Sequence, residues 1–192
     1  MLFSKIASEY GKNVYTVELN LCDDESIKNT SKTILDYKIP ISGLVNNAGV
    51  IGAKKIFSMT TMQEIRDVFN ANFFGPLFFT QRIVKNMIRN KSGSIVNIAS
   101  IAALDGGPGE LEYCSSKAAV IGASKKLSKE LGAYGIRVNS VAPGVTDTNM
   151  VSEMSDELKN STIVGSAFKR LANPQEIGET IVWLLSDKSS FV

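Results

Sequence analysis

"GSIVNIAS", residues 93–100, decides the fold. Its interior is mostly apolar, with no regular alternation of apolar and polar. A short run of this kind, closed by Gly93 and Ser100, reads as a strand buried on both faces. "ISGLVN" (41–46) and "IRVNSVAP" (136–143) have the same character, and "NVYTVELNL" (13–21) also reads as a strand. Helical stretches lie between them. Residues 2–10 form one, stopped by Gly11. A second runs from an Asp23 or Asp24 cap to about Tyr37. A third covers about 62–90, opened by a Thr61/Glu64 capping box. A fourth spans 112–133 and ends near Gly135. The last follows "NPQE" (173–176), with an Asn cap, Pro at the first position and Glu at the third. Strands alternating with helices predict an α/β fold: a doubly wound parallel sheet in three layers, as one domain over 1–192.

Bulk properties exclude several classes. The chain has 192 residues, 44% hydrophobic and 21% charged, which suits one globular domain. A net charge of +2 offers no electrostatic case for nucleic acid or a membrane surface. No apolar run is long enough to span a bilayer, and "MLFSKIASEYGK" is too polar for a signal peptide. Cys22 and Cys114 have no metal or redox spacing and read as free thiols of a reducing, cytoplasmic compartment. Histidine is absent. That removes Ser-His-Asp catalysis and nearly every zinc site, so no metal is expected. Acid–base chemistry falls to Tyr, Lys, Cys or a carboxylate.

A parallel sheet binds ligands at the carboxyl ends of its strands. Three strand ends carry suitable residues. In "VNNAGV" (45–50), Asn side chains can bond neighbouring strands, and Ala48-Gly49 leaves room for something flat. A simple Asn-Gly type of turn accounts for it equally well. Ser100 ends the third strand, either as a cap or as a functional hydroxyl. "PGVTDT" (143–148) offers Pro143 to stop the ladder, Gly144 for close approach, and hydroxyls. Thirteen residues after Ser100 comes "YCSSK" (113–117). On a helix, Tyr113 and Lys117 share one face, with Cβ atoms about 5–6 Å apart. Alone, such a pair is usually a solvated accident; beside Ser100 it is a candidate site.

Together these pieces identify a resemblance. "NLCDD", "NNAG" at 46–49, "FNANFFG" with Asn72, "SIVNIAS", "YCSSK" and "IRVNSVAPGVTDT" occur in the order and spacing of the classical short-chain dehydrogenases/reductases. The resemblance covers essentially the whole chain. It implies a Rossmann-like sheet and hydride transfer between a nicotinamide and a carbonyl or secondary alcohol. By similarity, Tyr113 is the general acid or base and Lys117 binds the nicotinamide ribose and lowers the Tyr pKa. Ser100 holds the substrate carbonyl, and Asn72 interrupts its helix to keep a water in a proton relay. One positive charge ~4 Å away at an effective dielectric of ~20 contributes about 4 kcal/mol, roughly 3 pKa units, before desolvation opposes it. Cofactor contacts carry over to Asn20, Leu21, Asn47, Ala48, Gly49, Tyr113, Lys117, Pro143, Gly144 and Thr146. The cofactor is NAD or NADP, with NADPH favoured.

The same comparison implies that the family's first βαβ unit, with its glycine-rich pyrophosphate turn, and its last strand are not in this chain. Residues 13–21 then have no obvious sheet neighbour. An inactive remnant, or a non-catalytic partner of intact homologues, is the alternative to an enzyme. An extended-type epimerase would need a longer substrate domain after Thr148. For substrate, the short segment 149–172 resembles the lid of 3-oxoacyl-[acyl-carrier-protein] reductases. Arg89 and Lys91 suit an acidic carrier, whereas Tyr134 stands where those enzymes place a second basic residue. Sugar and small-alcohol dehydrogenases stay open. Lys125, Lys126 and Lys129 read as a solvated face. The two long helices resemble the family's interface helices, so the intact protein is expected to be a homodimer or homotetramer acting on a small carbonyl or alcohol, with no nucleic acid or membrane partner.

Overall fold

The computed structural model describes residues 14–148, 151, 160 and 163–192. The expected helix at 2–10 and most of the expected lid, including "NMVSEM", lie outside them. Three parallel strands form the sheet: β1 (Gly43–Asn46), β2 (Gly93–Ile98) and β3 (Ile136–Val141), in that order. Register aligns Leu44, Ile95 and Val138, then Asn46, Asn97 and Ser140, so each row faces one side.

Helices cover both faces, giving the three layers expected. On the first face lie α1 (Asp24–Asp36), α2 (Met62–Phe69), α3 (Gly75–Asn90) and α4 (Leu111–Leu131). Ile27, Phe79, Ile83, Met87, Ile95 and Ile136 form the core there. The row Asn46–Asn97 faces the same side: Asn46 Nδ2 donates to Thr80 Oγ1 at 2.8 Å and to Asn97 Oδ1 at 2.7 Å. Asn97 Nδ2 in turn donates to Ser124 Oγ at 2.9 Å. These bonds dock α3 and α4 onto one face, as right-handed crossovers between successive parallel strands require. The opposite face receives α5 (Pro174–Leu185). Ser94 Oγ and an Arg137 guanidinium N–H both donate to the Leu184 carbonyl, at 2.8 and 2.7 Å. They satisfy a carbonyl that the helix end leaves open.

Local signals decide the helix starts. Asp23 caps α1 by accepting from the Glu25 N–H. Thr61 with Glu64, and Asn173 with Glu176, both form full capping boxes. The Lys55 ammonium and the Thr61 amide and hydroxyl together hold the Glu64 carboxyl down at about 2. Arg170 does the same for Glu176, through two bonds of 2.7 Å. The strand expected over 13–21 is corrected. Residues 14–20 have no regular structure and no ladder partner. They lie along α1, where Thr30 Oγ1 donates to the Glu18 carbonyl at 2.6 Å and Tyr15 packs on Tyr37. Alternating residues favour a strand, but a strand without a neighbour leaves its own amides unpaired.

Two glycines give a paired test. A Cβ on Gly75 would overlap the Leu21 carbonyl, whereas one on Gly122, in the middle of α4, meets nothing within 4 Å. Gly122→Ala should therefore raise unfolding stability by about 0.5–1 kcal/mol. Gly75→Ala should lower it. Urea denaturation of both variants measures this directly.

Candidate active site

The strand ends meet α4 at one place. Ser100 follows β2 and is buried. Its Oγ accepts from the Ala102 N–H at 3.2 Å, opening a short 3-10 turn. The Ile101 N–H donates to the Pro143 carbonyl at 2.9 Å, which seats the loop after β3 beside Ser100. Tyr113 and Lys117 lie on α4 with the Lys117 Nζ 5.9 Å from the Tyr113 ring centroid. Lys117 is only 4% exposed, and its ammonium donates to the Ile98 carbonyl at 2.8 Å.

Asn72 reaches the same place from another element. It sits in a π-helical turn, Asn70–Phe74, that splits what would be one helix into α2 and α3. The Gly75 N–H bonds to the Asn70 carbonyl, five residues back. Such single-turn insertions cluster at functional sites. The Asn72 side chain is 2% exposed. Its Oδ1 accepts from the Val50 N–H at 2.7 Å and its Nδ2 donates to the Val50 carbonyl at 2.9 Å. The loop after β1 is thereby pulled over the site. Gly49 is its closest point: a Cβ there would lie 3.1 Å from Lys117 Nζ and 3.2 Å from Asn72 Oδ1. Ion pairs tie the same loop down, Lys54 to Glu110 at 3.0 Å and Lys55 to Glu64 at 2.5 Å.

The expected residues thus fall into two groups. Asn72, Ser100, Tyr113, Lys117, Gly49 and Pro143 converge. Asn47 and Ala48 are exposed at the end of β1, and Gly144 has open space around it. Thr146 bonds back to the Gly144 carbonyl at 3.0 Å and pairs with Ala172 in a one-residue bridge. Asn20 and Leu21 stand apart, at the turn before α1. Asn20 Oδ1 accepts from the Cys22 N–H at 3.0 Å, while Leu21 packs on the core and its carbonyl lies against Gly75. Sequence reasoning missed Ser116 and Glu112. Ser116 is fully buried against Asn72. Glu112 is buried where Gly52 leaves room for it, and its Oε2 has no hydrogen-bond partner among the described residues. Both lie on the buried face of α4, four residues apart, where only the elements facing them reveal their burial.

Burial pushes the Tyr113 phenol above its usual value, and the neighbouring Ser100 hydroxyl only partly opposes it; Glu110 adds to the rise. The Lys117 ammonium points to the Ile98 carbonyl, and burial pushes its own pKa down.

A tyrosine and a lysine on one helix face beside a strand-end serine is the grouping that the resemblance implies. A family profile described as Enoyl-(Acyl carrier protein) reductase matches residues 2–192. The chain belongs to the short-chain dehydrogenase/reductase family, and it is an NAD(P)-dependent enzyme of that family. The 3-oxoacyl-[acyl-carrier-protein] reductase of Aquifex aeolicus is 34% identical over 188 residues, 98% of this chain and 75% of the relative. That of Thermotoga maritima is 36% identical over 174 residues, 91% of this chain and 70% of the relative. The crystal structure of the Brucella melitensis 3-oxoacyl-[acyl-carrier protein] reductase superposes with a TM-score of 0.90 at 28% identity, over 99% of this chain and 72% of that one. ElxO with NADP bound gives 0.90 at 28% identity, over 98% and 79%. The chain thus spans about three quarters of the length of its relatives.

The Lys117 shift has a readable sign. Its folded pKa lies below the unfolded 10.5, so between those values the unfolded chain holds more protons and stability rises with pH. Relative to Lys117→Met, the wild type should therefore gain stability as pH rises toward 10.5. Urea unfolding at neutral pH and at pH 10.5 measures the difference; a constant gap would refute it.

Proposed function

We propose that the chain reduces a 3-oxoacyl thioester, carried by an acyl carrier protein, to the 3-hydroxy form with NADPH. The observation that carries this reading is Tyr113 with the Lys117 ammonium 5.9 Å from its ring, on the helix that packs beside the buried Ser100 at the end of β2. Two neighbouring hydroxyls suit a carbonyl oxygen. The Ser100 hydroxyl holds that oxygen. Tyr113, protonated at neutral pH as phenols are, gives it a proton as negative charge develops on the oxygen.

Lys117 serves as the cationic neighbour that carries the proton deficit, and Asn72 fixes the loop above it. The cofactor supplies the hydride. Residues that suit it run from the α1 turn (Asn20, Leu21) across the strand ends (Asn47, Ala48, Gly49, Pro143, Gly144, Thr146) to Tyr113 and Lys117. The missing Cβ of Gly49 fits this reading, because any side chain there would press on Lys117 and Asn72. The names of the curated relatives and the NADP in ElxO support the acyl substrate and the phosphorylated cofactor. They also weigh against an inactive remnant.

We further propose a homo-oligomer formed through α3 and α4. Between them runs a cleft lined by Phe73, Leu77, Val120 and Leu127 together with Asn46, Asn72, Thr80 and Asn97. Phe74 and Leu77 are exposed at the start of α3, and exposed apolar side chains of this kind are what a partner helix covers.

Tyr113→Phe removes only the phenolic oxygen. Reduction of an acetoacetyl thioester, followed as NADPH absorbance, should fall by about 10²–10⁴. NADPH binding by fluorescence titration should persist. Retained turnover in that variant would reject the site.

A further inference from the structure

We propose that Ser116 is a positioning residue: its hydroxyl fixes the Asn72 amide and so sets the 49–50 loop over the Lys117 ammonium. The inference rests on the reading of Tyr113, Lys117 and Asn72 as the reaction site. Serine is an indifferent helix former, and this one lies in the second turn of α4 with no exposed surface. Its hydroxyl proton is committed to the Tyr113 carbonyl at 2.8 Å. That commitment turns the oxygen into an acceptor, and the Asn72 Nδ2 donates to it at 3.0 Å.

The Asn72 amide is therefore held from two sides. Val50 takes one N–H and supplies one donor, and Ser116 takes the other N–H. All three hydrogen-bonding positions that face protein are used. Remove the Ser116 oxygen and one amide N–H is left buried without a partner, which is costly in a 2% exposed residue. The amide must then turn or withdraw to find one, and its grip on Val50 goes with it. Among the described residues Gly49 and Val50 themselves make no other hydrogen bond, and the ion pairs of Lys54 and Lys55 tie the loop only further along. One hydroxyl thus couples the helix that carries Tyr113 and Lys117 to the loop that roofs them. The role is indirect, because Ser116 itself is sealed from substrate and cofactor.

Amide hydrogen exchange in the ¹⁵N-labelled protein tests the coupling without needing turnover. In Ser116→Ala, exchange of the Val50 N–H should rise about tenfold while that of Val96, in the middle of β2, stays unchanged. In an Asn72→Ala background the same substitution should add nothing, since its path runs through Asn72. An unchanged Val50, an equal rise at Val96, or additive effects in the double variant would each overturn the proposal. A kinetic arm uses NADPH and an acetoacetyl thioester. Ser116→Ala should lower kcat about tenfold with the KM for NADPH unchanged to within about twofold. A KM effect with kcat intact would overturn the positioning role. Tyr113→Phe separates the two readings: full turnover there rejects the assigned site, while the exchange result still decides whether Ser116 holds Asn72.

Discussion

The Lys117 ammonium and the Ile98 carbonyl, 2.8 Å apart and shielded from solvent, make the contact that the arrangement of the site depends on. A buried charge is expensive, and only a well-placed acceptor offsets part of the cost. Here that acceptor is the last carbonyl of β2. It stays available only if α4 lies in one register against the sheet. The register also carries Tyr113, one turn earlier, to Ser100. A shift of one residue along α4 would turn both side chains by about 100° and strand the ammonium.

The buried face of α4 shows how that register is specified. Glu112, Ser116, Val120 and Ser124 follow at four-residue steps, with Lys117 beside them. An apolar stripe would tolerate sliding, because dispersion contacts have little directionality. Hydrogen bonds do not. Ser124 meets Asn97 and Lys117 meets Ile98, both on β2, while Ser116 meets Asn72 in the π turn. A strand and the turn that joins α2 to α3 are thereby located relative to a single helix. The core beneath, from Ile27 through Ile95 to Ile136, supplies the burial that makes these polar contacts strong.

Legibility in the sequence follows the range of the interactions. Capping boxes at Thr61–Glu64 and Asn173–Glu176 are local, and the residues alone reveal them. β2 and β3 were readable because burial on both faces leaves a continuous apolar run. The failure at 14–20 has the opposite cause. "VYTVELN" has strand periodicity, but pairing belongs to the neighbour, and no local pattern encodes a neighbour. Of the site, Ser100, Tyr113 and Lys117 were visible as strand-end and helix-face residues. Ser116 and Glu112 were not, because small and charged residues within "LEYCSSK" look solvated until Asn72 and Gly52 are known to face them. Asn72 itself was expected to break its helix, whereas the form of the break, one π turn, depends on its side chain being held by Val50.

The two ionisable partners share one environment and respond to it differently. Burial drives each toward its neutral form, raising Tyr113 and lowering Lys117. For the phenol the neutral form is already the ordinary one at neutral pH, so burial does not change its state there. For the lysine the same burial works against the charge, and the Ile98 carbonyl at 2.8 Å offsets part of that cost. The contact that sets the register of α4 is therefore also the one that supports a cation beside the phenol in a chain without histidine.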